Sequence, residues 1–309
     1  MKVVLLGKGE MLANLIEGVL DAECQIVGVF RYERTCTNPF LLKIKDFFKN
    51  SNDLTLIKQH KIHEIKCKSA NSEEFKKEIL KLNVDVVIIG TWGEKLLKET
   101  IDLPVIATVN VHPSLLPKYR GPNPYLQTIL HGEKKSGLTF HLVNEDFDKG
   151  SILTQKEIPI FPNDTSKELK ERTVFQARLM CAELLKKLEY GMVIPIPQNE
   201  NFATYYKNIN PKDIMLDFEK ETAEQISRRI RAFHPWLPCY VSEKNRFYIP
   251  NPYKLKIIYA TSNKKLGEII SRTKNSITVL CKDNKALQMN NVRVYGIFDK
   301  IINKFRNIF

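Results

Sequence analysis

The sequence predicts an α/β fold: an open, doubly wound, mostly parallel sheet, followed by a C-terminal domain built as a small OB-like β-barrel. Three observations carry that reading. Short apolar runs, KVVLLG (2–7), QIVGVF (25–30) and VDVVIIG (84–90), alternate with longer helically periodic stretches, as expected for strands buried on both faces under helices. Near residue 192 the chain turns Pro- and Asn-rich, VIPIPQNENFATYYKNINP, and then breaks into short strand-like segments at barrel-like spacing. Its 309 residues suffice for two cores.

Each element has its own local reason. KVVLLG runs into the helical pattern EMLANLIEGVL (10–20) through Gly7-Lys8-Gly9. Those glycines are a fragment of a dinucleotide fingerprint whose third glycine would fall on Leu12, so a plain strand-to-helix turn is the better reading. SEEFKKEILKLN (72–83) reads as a helix capped by Ser72. VIATVNV (105–111) is a strand, followed by a helix near 122–131, the strand SGLTFHLV (136–143), an acidic turn NEDFDKGS (144–151) and the strand ILTQKEIPI (152–160). Thr165 and Glu168 form a T-x-x-E capping box that opens a long helix, and Gly191 stops it. The expected division is a first domain over 1–191, a linker over 192–207, and a second domain over 208–309. In the last, the helix TAEQISRRIRAF (222–233) precedes the strands RFYIP, LKIIYA, GEIISRT, SITVLC and ALQMNNVRV.

Charge is unevenly spread. From residue 206 onward 20 Lys and Arg face 9 Asp and Glu, a net +11 out of +13, leaving +2 on the first 205 residues. Such asymmetry points to a polyanionic partner for the C-terminal part, against the bland alternative of a Lys- and Asn-rich composition. The six cysteines, at 24, 36, 67, 181, 239 and 281, form no CxxC pair and none sits beside a histidine at ligand spacing. No structural metal and no disulfide framework is expected, and reduced thiols fit a cytoplasmic location. No apolar run approaches the roughly 18–20 residues that cross a bilayer, so no membrane partner is expected.

The chemistry concentrates in NVHPSLLPKYRG (110–121). Side chains alternate along a strand, so Asn110 and His112 share a face, and Pro113 ends the ladder there. Strand C-termini are where open α/β sheets bind ligands. An amide N–H can hold a developing oxyanion, and an imidazole can hold it or move a proton, with a carboxylate to orient the ring. The acidic turn could supply that carboxylate, and its residues alone leave Glu145, Asp146 and Asp148 open. No serine or cysteine is placed as nucleophile, since Ser114 faces away if the strand persists, so the nucleophile would come from the substrate.

NVHPSLLPKYRG, followed at this distance by NEDFDKGSIL, resembles the formyltransferases that use 10-formyltetrahydrofolate. LGEIISRTKNSITVLCKDNKALQMNNVRV and RRIRAFHPW are similar to the C-terminal domain shared by methionyl-tRNA formyltransferases and some sugar formyltransferases. The resemblance implies a Rossmann-like catalytic domain in which Asn110, His112 and Asp148 are catalytic and Ser114, Leu115, Leu116 and Pro117 bind the folate. It implies direct attack of a substrate amine on the formyl carbon through a tetrahedral intermediate, with 10-formyltetrahydrofolate as donor and no metal. The basic C-terminal domain favours the methionyl amine of initiator tRNA as acceptor, with Arg120, Arg228, Arg229 and Arg231 as candidate substrate-binding residues. A nucleotide-linked amino sugar is the other acceptor, and a non-catalytic RNA- or folate-binding protein the third reading. Two departures bear on the acceptor: 31–53 carries Lys43, Lys45 and Lys49 but lacks the Gly-rich basic insertion of the tRNA enzymes, and His-Pro-Trp-Leu-Pro (234–238) replaces their usual Pro-Gly-Ala.

Overall fold

Four parallel strands form the middle and one flank of a six-stranded sheet: β1 (Lys2–Gly7), β2 (Gln25–Arg31), β3 (Val86–Gly90) and β4 (Ala107–His112). β5 (Lys135–Leu142) pairs antiparallel with β4, and β6 (Ile152–Pro159) completes the order β2-β1-β3-β4-β5-β6. β3 is buried throughout and β1 from Val3 onward. Both faces are therefore covered, which is why these runs carry no polar alternation. The computed structural model describes residues 1–36, 51–243, 246–260 and 262–296. Lys43, Lys45 and Lys49 of the 31–53 segment lie outside the described residues.

Helices α1 (Gly9–Asp21), α2 (Glu33–Cys36), α3 (Asn52–Gln59), α4 (Glu73–Leu82) and α5 (Lys98–Ile101) belong to this first unit. Phe75 and Ile79, four apart on α4, pack with Val4, Leu6, Phe30 and Ile89 in one core cluster. Ser72 caps α4 as expected, its hydroxyl accepting from the Phe75 N–H at 3.2 Å. Nothing in the sequence announced α3, yet it explains the Gly7-Lys8-Gly9 turn. Asp53 is buried and its Oδ2 accepts the Gly9 N–H at 2.9 Å, at the start of α1. A helix N-terminus binds anions, and here the chain's own carboxylate takes the place a dinucleotide phosphate would need.

α6 (Pro124–Leu130) precedes β5, and α7 (Ser166–Glu189) follows β6. Glu168 accepts from the Thr165 N–H at 2.9 Å, closing the expected start, and Gly191, at φ +64°, ends the helix as expected. The chain divides into two compact units. The first is Met1–Gly121, Ser136–Ile158 and Glu171–Tyr206; the second is Pro122–Lys135, Pro159–Lys170 and the chain from Lys207 onward. The stretch expected to be a linker has ordered partners in the first unit. Ile196 bridges Ile152, and Tyr205 bridges Arg120.

In the second unit α8 (Ala223–Phe233) opens with a reciprocal Thr222–Gln225 capping box. The expected small barrel is realised as two antiparallel sheets. One is ordered β10-β11-β12-β9, from β9 (Leu255–Tyr259), β10 (Ile269–Arg272), β11 (Ser276–Leu280) and β12 (Lys285–Asn290). The other is β13-β8-β7, from β7 (Val241–Glu243), β8 (Arg246–Ile249) and β13 (Arg293–Gly296). ALQMNNVRV is thus two strands in two sheets rather than one. Asn291 between them sits at φ +54°, a left-handed position that asparagine tolerates and a continuous strand cannot contain. Among the described residues no helix is long and apolar enough to cross a membrane.

Candidate active site

β4 delivers Asn110 and His112 to one face, two residues apart, at the C-terminal end of the sheet's central strands. Across the antiparallel pair, Asn110 stands opposite His141 and His112 opposite Thr139. The Asn110 amide nitrogen and His141 Nε2 are 3.0 Å apart. His141 Nδ1 lies 2.8 Å from the Leu142 carbonyl. A carbonyl only accepts, so Nδ1 carries the proton and Nε2 is left as the acceptor of an Asn110 N–H. Burial, and next the neighbouring His112, push the His141 imidazole down to about 4 from its ordinary 6.5, which keeps it neutral.

His112 is 5% exposed. Its Nε2 donates to the Tyr119 carbonyl at 2.8 Å, while Nδ1 faces Asp148 Oδ1 at 3.3 Å. The other Asp148 oxygen accepts the Gly121 N–H at 2.8 Å. The carboxylate is thereby aimed by backbone on one side and meets the imidazole with the other. Asp148 holds φ +59°, and a Cβ at Gly150 would run into the Leu142 carbonyl, so the Asp-x-Gly turn can close against β5 only with glycine there. Of the three acids the turn offers, the structure brings Asp148 to His112. Asp146 instead pairs with Lys149 at 3.0 Å.

The loop after His112 is pinned from β5 and β6. Thr139 Oγ1 donates to the Ser114 carbonyl at 2.6 Å and accepts from the Leu116 N–H at 3.3 Å. The Gln155 amide donates to both Thr139 Oγ1 and the Leu116 carbonyl, at 2.8 and 2.9 Å. Ser114 is fully buried with its hydroxyl donated to the Lys118 carbonyl, so it is structural and no nucleophile. Leu116 is buried too, whereas Leu115 and Pro117 are half-buried; the Leu116–Pro117 peptide is cis.

Arg120, expected among the substrate-binding residues, is 4% exposed and engaged by the chain itself. Its Nη1 and Nη2 meet the two Glu200 oxygens at 2.8 and 2.7 Å, and Nε and Nη2 donate to Gln198 Oε1 at 3.1 and 2.7 Å. Gln198 in turn donates to the Asp148 and Gly150 carbonyls, each at 2.8 Å. Thr204 adds a further tie, accepting from the Tyr119 N–H at 2.8 Å. Gln198, Glu200 and Thr204 were not legible as site residues because they lie in a Pro/Asn-rich stretch about fifty or more residues from the Asp148 turn, with no motif. His141 carried a weak signal, a histidine between Phe140 and Leu142 in a buried strand.

Arg228, Arg229 and Arg231 belong to the second unit, and Asn110, His112 and Asp148 to the first. Nor do they form one free basic face. Arg229 is paired with Glu221 at 2.7 Å and donates to the Asp213 carbonyl at 3.0 Å. Arg231 is buried and donates to the Asp164 carbonyl at 2.8 Å. Arg228 and Arg231 line a cleft of about 790 Å³ within that unit, with Lys134, Lys256, Phe161 and Tyr253. Among the described residues no group of three or more His, Cys, Asp or Glu is arranged to hold a metal ion. Cys24, Cys67, Cys181, Cys239 and Cys281 are unpaired thiols, each pushed up by burial.

An amide N–H donor, an imidazole and a carboxylate gathered at a strand end suit the stabilisation of an oxyanion and the movement of one proton, with no protein nucleophile. Residues 1–185 match the family described as formyl transferase, and residues 208–296 match the formyl transferase C-terminal domain. The methionyl-tRNA formyltransferase of Buchnera aphidicola subsp. Acyrthosiphon pisum is 33% identical over 239 residues, covering 76% of this chain and 75% of that protein. That of Pseudoalteromonas translucida is 27% identical over 310 residues, covering 99% of this chain and 94% of the other. The fold is shared with the N-formyltransferase of Helicobacter canadensis, crystallised with folinic acid and dTDP-3-aminofucose, at a TM-score of 0.66 and 18% identity over 94% of this chain and 99% of that one. Matched across both halves and carrying its polar cluster at the end of β4, the chain belongs to the formyl transferase family.

Proposed function

We propose that this protein is a cytoplasmic enzyme that transfers the formyl group of 10-formyltetrahydrofolate to the methionyl amine of initiator tRNA, with Asn110, His112 and Asp148 as its catalytic residues. The observation that carries the acceptor is the similarity to methionyl-tRNA formyltransferases along nearly the whole chain, 99% of it in one case. The net +11 from residue 206 onward supports the same choice, because RNA is gripped through its phosphates.

The donor set fits a formyl carbonyl: an amide N–H, an imidazole and a carboxylate with no competing nucleophile. When bound, the folate supplies the formyl carbon that the amine attacks and the nitrogen that leaves. The Ser114–Pro117 loop, pinned by Thr139 and Gln155, is the segment that would hold it. Asn110 donates an N–H to the oxygen that gains charge, a contribution of roughly 3–4 kcal/mol where such donors have been removed. His112 faces the same region and takes part in moving the proton that the amine must lose. Asp148, fixed by the Gly121 N–H, faces Nδ1 at 3.3 Å and orients the ring. An α-amino group titrates near 7.7–8.0, so a neutral fraction is present without a strong dedicated base.

A nucleotide-linked amino sugar is the second acceptor, kept open by two departures from the tRNA enzymes, the lack of a Gly-rich basic insertion at 31–53 and His-Pro-Trp-Leu-Pro at 234–238. Offering the enzyme formyl donor with charged initiator tRNA and a panel of nucleotide-linked amino sugars in parallel separates the two. Formylation of the tRNA alone is expected. Turnover of a sugar alone would transfer the assignment to that class, and binding of folate with no turnover on any amine would leave a non-catalytic protein.

A further inference from the structure

His141 belongs to no motif that pointed to this site. Its ring nevertheless has one defined job in the geometry. Nδ1–H is committed to the Leu142 carbonyl at 2.8 Å, so Nε2 presents only a lone pair. The group facing that lone pair at 3.0 Å is the Asn110 side-chain amide, and His141 is 2% exposed, so no water competes for it. An amide can be turned two ways, with nearly equal shape and opposite chemistry. An acceptor at Nε2 selects the orientation in which Asn110 turns its NH2 toward His141. Its second N–H then projects from a fixed plane as the donor left for the substrate, and Oδ1 points the other way.

The β4–β5 register builds this pair, since Asn110 and His141 are direct cross-strand partners. Asp148 Oδ1 lies 3.9 Å from the same His141 nitrogen and 3.3 Å from His112 Nδ1. A proton on Nε2 would make His141 a donor on both sides, draw it to Asp148 and favour the opposite Asn110 orientation. The depressed imidazole prevents this at neutral pH.

We infer that His141 is a positioning residue: as a neutral Nδ1–H tautomer it sets the Asn110 amide so that an N–H, rather than the carbonyl oxygen, faces the reacting formyl group. This inference rests on the reading of Asn110 as the oxyanion donor, but its first test does not. Nitrogen-15 NMR of the histidine rings in the full-length wild-type protein at neutral pH should show His141 as the Nδ1–H tautomer. An Nε2–H tautomer, or a charged ring, would overturn the inference whatever the enzyme turns over, and absence of formyl transfer by the wild-type chain would instead contradict the proposed function.

The second test is kinetic. His141→Leu removes the acceptor at similar size and should lower kcat by roughly 10- to 100-fold, with the KM for the formyl donor within about twofold, since the lost interaction matters as charge develops. His141→Gln can offer a side-chain carbonyl to Asn110 and should recover most of that loss. Equal losses in both variants, a rise in KM with kcat retained, or a His141→Leu enzyme as fast as wild type would each overturn the inference. The tautomer measurement needs no variant, so it stands even if Leu at 141 does not fold.

Discussion

Arg120 and Glu200, eighty residues apart, meet in a two-point ion pair with Nη1–Oε2 at 2.8 Å and Nη2–Oε1 at 2.7 Å. The guanidinium that follows the 113–119 loop is thereby held on the first unit, and through Gln198 it reaches the carbonyls of the Asp148 turn. Arg120 supports the site from behind. Arg120→Met keeps the stem and removes the fork, leaving Gln198 without its donors. We expect a loss of about 2 kcal/mol in stability, read by denaturant titration, with a lower kcat because the turn is no longer braced. A variant with unchanged stability and a raised KM for the acceptor would show that Arg120 contacts substrate instead.

Asp148→Asn separates geometry from charge. The amide oxygen can still accept from the Gly121 N–H, so the fold should hold within about 0.5 kcal/mol. Loss of the carboxylate facing His112 Nδ1 should still lower kcat about 10²-fold or more. The comparison to make is the thermal midpoint beside single-turnover kinetics of the same preparation.

Stability should decline toward acid. His141 titrates at about 4 in the folded chain against 6.5 ordinarily, chiefly through burial. The unfolded chain therefore binds this proton first, and the contribution is full above pH 6.5 and falls as pH drops toward 4, by about 3 kcal/mol in all. Glu168 acts lower down. Burial raises its carboxyl, but the hydrogen bonds from Thr165 and Tyr253 outweigh burial and hold it at about 2 rather than 4.5. Its stabilisation is complete above pH 4.5 and disappears toward pH 2. Denaturant titrations across pH 2–7 should show both phases, and His141→Gln should flatten the one between 6.5 and 4.

Much of this was legible from the residues. Asn110 and His112 had to share a face because strand side chains alternate, and Pro113 had to end the ladder. β1, β2 and β3 stood out because unbroken apolar runs leave no solvent face. What escaped was set by distance along the chain. Asp53 comes to Gly9 from a helix with no signature, and Gln198 and Glu200 come to Arg120 from a stretch whose composition reads as linker. The three α8 arginines looked like a basic face, yet Arg229 and Arg231 are committed to Glu221, Asp213 and Asp164. Sequence shows charge but not the partner that already holds it.

Removing the buried anion at the start of α1 should be costly. Asp53→Ala leaves the Gly9 N–H without its acceptor and should destabilise by about 1–2 kcal/mol. It should leave the KM for the formyl donor unchanged, since this helix start holds a carboxylate of the chain where a nucleotide phosphate would otherwise bind. Denaturation midpoints and steady-state kinetics on the variant check both halves.

Binding of tRNA should be strongly salt-dependent. About four phosphate contacts would weaken it roughly 100-fold between 50 and 200 mM salt. A flat response in a filter-binding or anisotropy titration would make the C-terminal charge a matter of composition.

The most direct measurement is the single-turnover rate of formyl transfer to charged initiator tRNA by wild-type enzyme and by Asn110→Ala, with folate binding measured on both. The predicted result is transfer by the wild type, and a loss of about 10²- to 10³-fold in the variant with folate affinity retained. Equal rates in the two proteins would contradict the assignment of the β4 terminus as the reaction centre.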